Sequence, residues 1–285
     1  METGLLLIAG GMATGLFGSL LGLGGGVLLV PLLTFGFELP VREAVGVSLV
    51  CVIVTSGASA AVFLDRRIAN LRLGMVLELF TAVGALIGGT IAFLLDERLL
   101  AGLFSALLVY TAVTMLRSRA PRMSEPGDGR SPASGGDPGR PAPAGTTGAT
   151  RLVESMSGPD YRVRSPFRGA AGGVGAGIVS ALLGIGGGLI MVPVMHVVMR
   201  VPLRVATATS NLMIGVTAST SALVYLFRGG IDAYATGPAA IGVFFGAAVG
   251  ARLAHRVDVS ALRLLFAAVL GYTAILMLRR ALGVS

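Results

Sequence analysis

Two stretches of this chain place consecutive glycines inside apolar sequence. Residues 19–31 read SLLGLGGGVLLVP and residues 181–193 read ALLGIGGGLIMVP. Each glycine in a helix interior costs about 1 kcal/mol relative to alanine, so a run of three breaks the helix. Backbone freed by such a break inside hydrocarbon must be buried in protein or must line an aqueous cavity. A new helix is expected to start at Val27 and at Leu189. Its first N–H groups have no intrahelical partner and carry partial positive charge, which suits an anion. Pro31 and Pro193 follow four residues later, and each removes one more backbone donor. Gly22, Pro31, Gly184 and Pro193 are therefore read as shaping the breaks. Gly24, Gly25, Gly26, Val27, Gly186, Gly187, Gly188 and Leu189 are read as substrate-binding backbone.

The segment after each motif carries polar side chains at helical spacing. These are Ser48, Thr55 and Ser59 in the first half, and Thr207, Ser210, Asn211, Thr217 and Ser221 in the second. Steps of three, four and seven residues share a helix face. Neutral donors beside a helix N-terminus suit an oxyanion that must bind and then leave, and Ser48, Ser210 and Asn211 are the chosen candidates. The competing role is bonding back to the helix or to neighbouring helices. Glu78, in LRLGMVLELF, is a carboxylate within an apolar segment and a candidate for proton coupling. Its duller alternative is to face headgroups or Arg72. His196, His255 and Cys51 form no metal set, and no Ser–His–Asp arrangement is visible. The sequence therefore predicts neither an enzyme nor a cofactor or metal. A dinucleotide loop is excluded because its glycines require a strand–turn–helix.

The elements that position these residues follow from composition. Of 285 residues, 54% are hydrophobic and 13% charged, with a mean hydropathy of +0.85. Soluble domains are about 25% charged, so the chain reads as an all-α polytopic membrane protein. Its net charge of +8 comes from arginine, without lysine, and fits a positive-inside bias better than nucleic-acid binding. No basic segment precedes Arg42, so no cleaved signal peptide is expected. The apolar segments are 4–36, 44–64, 73–95, 99–116, 167–198, 205–227, 234–254 and 261–278. Six suit one crossing of a ~30 Å hydrocarbon core. The first and fifth, which hold the glycine runs, are too long for a single crossing.

The second half copies the first. At an offset of 162, Gly15–Arg117 aligns with Gly177–Arg279 without a gap. Both glycine runs, both prolines, Arg42/Arg204, Ser48/Ser210, Gly84/Gly246, Gly88/Gly250 and Tyr110/Tyr272 coincide. This divides the chain into a first transmembrane repeat at 1–117, a Pro/Gly/Ser/Arg-rich linker at 118–165 and a second repeat at 166–285, each repeat beginning with a glycine-broken helix. The linker's composition predicts disorder. If each long segment is a re-entrant hairpin, the repeats are inverted. Arg66, Arg67, Arg72, Arg200, Arg204, Arg252, Arg256 and Arg263 then share a side with the linker, while Arg42, Arg98, Arg228, Arg279 and Arg280 lie opposite. That arrangement obeys the positive-inside rule better than eight full crossings, and it puts the linker in the cytoplasm and both termini outside. Paired broken helices in repeated halves are a plan of secondary transporters.

GLFGSLLGLGGGVLLVPLL, GIVSALLGIGGGLIMVPVM, VREAVGVSLV and LRVATATSNLM resemble the sulfite exporter TauE/SafE family, also called the toluenesulfonate uptake permease family. The resemblance covers both repeats but not the linker. It implies a cytoplasmic-membrane transporter of sulfur-containing anions such as sulfite, sulfoacetate or other sulfonates, often for export. The expected mechanism is alternating access with a small anion held at two broken-helix N-termini. With no Walker motif, the energy comes from an ion or substrate gradient. The alternative is a proton- or cation-coupled carrier of another small organic solute. The expected partners are the anion and the lipid bilayer, without nucleic acid, and a homodimer stays open.

Overall fold

The computed structural model describes residues 2–21, 25–65, 70–117, 166–253 and 259–283. The linker, Gly22 and Gly24 lie outside the described residues. The first repeat comprises α1 (Glu2–Leu21), α2 (Gly26–Pro31), α3 (Val41–Asp65), α4 (Leu71–Leu94) and α5 (Glu97–Arg117). The second comprises α6 (Pro166–Leu183), α7 (Gly188–Pro193), α8 (Leu203–Phe227), α9 (Ala233–Leu253) and α10 (Val259–Leu282). Among the described residues, six helices are long and apolar enough to cross a membrane.

The glycine breaks are where sequence dictates backbone most directly. α2 and α7 start at Gly26 and Gly188, one residue before the expected Val27 and Leu189. The capping residues Gly25 and Gly187 have φ of 76° and 77°. That left-handed conformation is costly for any residue with a Cβ, so the second glycine of each consecutive run is the cap and the third opens the helix. Each proline ends its α-helical turn, and a π-helical turn follows, at Leu32–Gly36 and Val194–Val198. A missing N–H and the wider turn are consistent consequences of proline within a helix.

α2 folds back along α1. Gly25 lies beside Thr14 and Gly15, and Leu32 lies against Gly10. The chain thus leaves this hairpin at the end where it entered. α3 then runs the other way, passing Gly26 at Ser48. α4 returns, and Leu95 meets the first turn of α3, where Arg42 Nη2 donates to the Leu95 carbonyl at 2.9 Å. The second repeat does the same: Val194 lies against Gly172, Gly187 lies beside Ser180, and Ser210 lies beside Gly188.

The halves interlock crosswise. α4 packs on α6 with residue numbers rising together: Gly84 against Val174, Gly88 against Ile178, and Gly177 against Thr81 and Ala85. α1 and α9 are likewise parallel, with Ile8 against Gly242, Met12 against Gly246 and Leu16 against Gly250. At these glycines a neighbour's backbone carbonyl occupies the space a Cβ would need, a small-residue contact typical of membrane helices. α3 and α8 run antiparallel, with Gly46 at Gly230 and Ser56 at Asn211. So do α5 and α10, where Ser105 Oγ donates to the Ala274 carbonyl at 2.9 Å and Arg98 lies beside Gly283. Within the first repeat α1 and α4 point in opposite directions. Because α1 parallels α9 and α4 parallels α6, the corresponding helices of the two repeats are inverted. The chain's two ends therefore lie at one end of the bundle, and residues 117 and 166 lie at the other. At the end holding the termini, the guanidiniums of Arg42 and Arg228 lie over the Phe93 ring at 5.3 and 5.7 Å.

Candidate functional site

The first glycine break is closed by the other half. Ser48, fully buried at the α2–α3 contact, donates its hydroxyl to the Gly184 carbonyl at 2.8 Å and lies 3.3 Å from the Gly26 carbonyl. A Cβ on Gly26 would lie 2.5 Å from the same Gly184 oxygen. A carbonyl from the motif of the second half thus packs against the first residue of α2. Gly25, Val27 and Pro31 are all buried here. Thr55, one of the predicted polar face, bonds back to the carbonyls of Cys51 and Val52. The Ser59 side chain lies outside the described residues.

The second break is different. Gly186, Gly187 and Gly188 line a cavity of about 10 Å³ together with Thr81, Ser210 and Thr217 and the apolar side chains of Met191, Met213 and Ile214. A space of that size holds roughly one water. Ser210 and Ser180 are each 1% exposed, and neither hydroxyl has a hydrogen-bond partner. Ser210 Oγ sits 3.3 Å from where a Cβ of Gly188 would be, and Ser180 Oγ lies 3.6 Å from that of Gly187. Two unpaired hydroxyls therefore flank the cap of α7. Buried polar groups of this kind cost stability, and native proteins keep them where a water or ligand is to be held.

Glu78 reaches the same place from α4. Thr217 Oγ1 donates to Glu78 Oε1 at 2.9 Å and lies 3.2 Å from Thr81 Oγ1. Thr81 Oγ1 in turn donates to the Glu78 carbonyl at 3.0 Å. Glu78 Oε2 is buried without a partner. The carboxylate thus turns inward across the α4–α8 contact, which sets aside the alternative of facing headgroups or Arg72.

Several predicted residues take other roles. Asn211 does not line the cavity, and its backbone carbonyl accepts from Ser56 Oγ at 2.7 Å. Adjacent residues on a helix point about 100° apart, so a helix that aims Ser210 at the break must aim Asn211 elsewhere. Leu189 is half-buried and outside the lining, and Gly184 acts through its carbonyl on Ser48. Pro193 is exposed, and its effect is the turn it ends. Ser221 bonds back to Thr217. His196 Nδ1 pairs with the Val201 carbonyl at 3.0 Å, and no metal-ligand group occurs among the described residues. Thr81, Ser180, Met191 and Met213 escaped the sequence reading. A signal existed: the repeat breaks at three of the site's polar positions, where Glu78, Thr81 and Ser180 stand opposite Ala240, Val243 and Gly18.

Comparison with known proteins agrees with this architecture. A family model described as sulfite exporter TauE/SafE matches residues 7–277. The probable membrane transporter protein YunE of Bacillus subtilis is 24% identical over 262 residues, covering 89% of each chain. A probable membrane transporter protein of Methanocaldococcus jannaschii is 25% identical, over 96% of this chain and 94% of its own. Another, from Xylella fastidiosa, is 26% identical over 90% and 87%. No solved structure matches. With a multi-pass helical bundle, interlocked halves and a family match along nearly its whole length, the chain belongs to the sulfite exporter TauE/SafE family of membrane transporters.

Proposed function

We propose that this transporter moves a small sulfur-containing oxyanion, such as sulfite or a sulfonate, through the second glycine break by alternating access and together with a proton. Export across the cytoplasmic membrane is the direction the family description suggests. The observation that carries this reading is the cluster of unpaired Ser180 and Ser210 hydroxyls at the cap of α7, next to a buried carboxylate. Ser210 lines the small cavity with the glycine backbone of the α7 cap, and Ser180 lies beside Gly187, so hydroxyl and amide donors gather where an oxyanion would need them. A cavity of about 10 Å³ is too small for sulfite, so this reading requires the site to widen before it loads. Opening needs Met191, Met213 and Ile214 to withdraw. In this reading α7 supplies the donors, while the Gly184 carbonyl packs against the start of α2.

Proton coupling follows from charge and hydrogen-bond counting. An anion and an ionised Glu78 a few ångströms apart repel strongly in a low-dielectric interior. The cluster also has three short contacts but two threonine hydroxyl protons to fill them. A proton on Glu78, donated to Thr217, completes the chain Glu78–Thr217–Thr81. Loading the anion with a proton relieves both problems at once.

The test is flux in liposomes containing the purified chain, with sulfite and sulfoacetate as cargo and an imposed pH gradient. Acidifying the loading side should accelerate wild-type flux, and Glu78→Gln should remove that response while the protein keeps its melting temperature. An unchanged pH response in Glu78→Gln would overturn the coupling. The second reading, a proton-coupled carrier of a neutral organic solute, draws on the same Glu78–Thr217 contact. Flux of a neutral solute that sulfite does not inhibit would favour it.

A further inference from the structure

We infer a binding site for one acidic phospholipid at the end of the bundle that holds both chain ends. A groove of about 580 Å³ runs between the α1–α2 hairpin and α10, lined by apolar side chains that include Phe17, Leu32 and Val269. Phe35 and Leu276 line it too, and both also line a second cavity of about 620 Å³. The two spaces therefore adjoin: one apolar, the other a mouth bordered by Arg98, Arg279 and Arg280. Three guanidiniums against one carboxylate, Glu97, leave an excess of two positive charges in that mouth. Arg98 and Arg279 are exposed, and Arg280 spends one N–H on the Thr34 carbonyl at 3.5 Å. An apolar trough that ends in a basic mouth, at the tip of a spanning helix, matches an acyl chain joined to an anionic headgroup.

The inverted repeat supplies an internal control. Residues equivalent to the groove, including Leu103, Leu107, Tyr110, Ile190 and Pro193, line a groove of about 450 Å³ between α5 and the α6–α7 hairpin. Its apolar floor is the same, but of the three mouth arginines only Arg279 has an arginine counterpart in sequence, Arg117, whereas Arg98 and Arg280 correspond to Ser260 and Ser118. Ordinary bilayer packing would fill both grooves alike. The sequence leaves that copy one of the three arginines, so the α10 groove should hold an acidic lipid more tightly than the α5 groove.

The experiment uses the full chain in a neutral detergent, titrated with phosphatidylglycerol, phosphatidylcholine of the same acyl chains, and free glycerol phosphate. Bound lipid is counted by native mass spectrometry, and the melting temperature is followed in parallel. One phosphatidylglycerol per chain should be retained, at least tenfold more tightly than phosphatidylcholine. The double variant Arg98→Gln/Arg280→Gln should abolish that preference while keeping the lipid-free melting temperature. Val269→Trp, which leaves the arginines in place, should block the groove and weaken binding to the level of glycerol phosphate. Equal retention of the two lipids, an unchanged preference in the arginine variant, or glycerol phosphate binding as tightly as the lipid would each overturn the site. So would a groove covered by a second copy of the chain, seen as a dimer that excludes lipid.

Discussion

The two glycine breaks share a sequence pattern and differ in what stands opposite them. At the first, the Ser48 hydroxyl is engaged, lying 3.3 Å from the Gly26 carbonyl and 2.8 Å from the Gly184 carbonyl. At the second, the equivalent Ser210 has no partner and borders a small cavity. The helix caps are nearly the same, since Gly25 and Gly187 have φ values one degree apart. What differs is the crossing helix. α4 brings Glu78 and Thr81 to the second break, whereas α9 carries Ala240 and Val243 at the matching positions. One duplicated backbone has thus become a structural joint at one copy and a polar site at the other.

The largest effects should come from filling the two breaks. Gly26→Ala would push a methyl group into a backbone carbonyl, which cannot move aside. Gly188→Ala would collide with the Ile214 side chain, which can. Overpacking costs typically 1–3 kcal/mol. We expect Gly26→Ala to lower the melting temperature more, and expect Ile214→Ala to rescue Gly188→Ala but not Gly26→Ala. Thermal unfolding of the four variants decides this, and equal losses at both breaks would mean the asymmetry is not structural.

The serine pair sharpens the contrast. Ser48→Ala leaves the buried Gly184 carbonyl without its donor, at a cost of about 1–3 kcal/mol. Ser210→Ala removes an unpaired hydroxyl, so stability should hold or rise while sulfite flux falls severalfold. Melting curves and flux measured on both variants should therefore separate. A parallel loss of stability in both would erase the distinction. Smallest of all should be Ser180→Ala, with a melting temperature within a degree or two of wild type and a modest loss of flux, because its hydroxyl has no protein partner to lose.

Much of the fold was legible because each feature had a local cause. Three consecutive glycines cannot stay helical, proline cannot continue the ladder, and an ungapped 162-residue offset requires two like units. The site was less legible because it depends on which helix crosses which break. Nothing local to Glu78 says that it meets Thr217, 139 residues away. Ser210 and Asn211 looked equivalent as polar neighbours, and only the rotation of α8 separates them. The Thr34 hydroxyl and the Arg42 Nε are buried without partners, and no local pattern marks either.

The crosswise packing of α1 on α9 and α4 on α6 has a consequence for biogenesis. When the first half has left the ribosome, the glycine faces of α1 and α4 have nothing to close on. The second half must be made before either face is covered, and the linker keeps it close at hand. Translated as separate polypeptides, the halves should be poor substrates for the membrane but good partners for each other. Inherited as one gene, they fold as a tethered heterodimer whose subunits happen to share a chain.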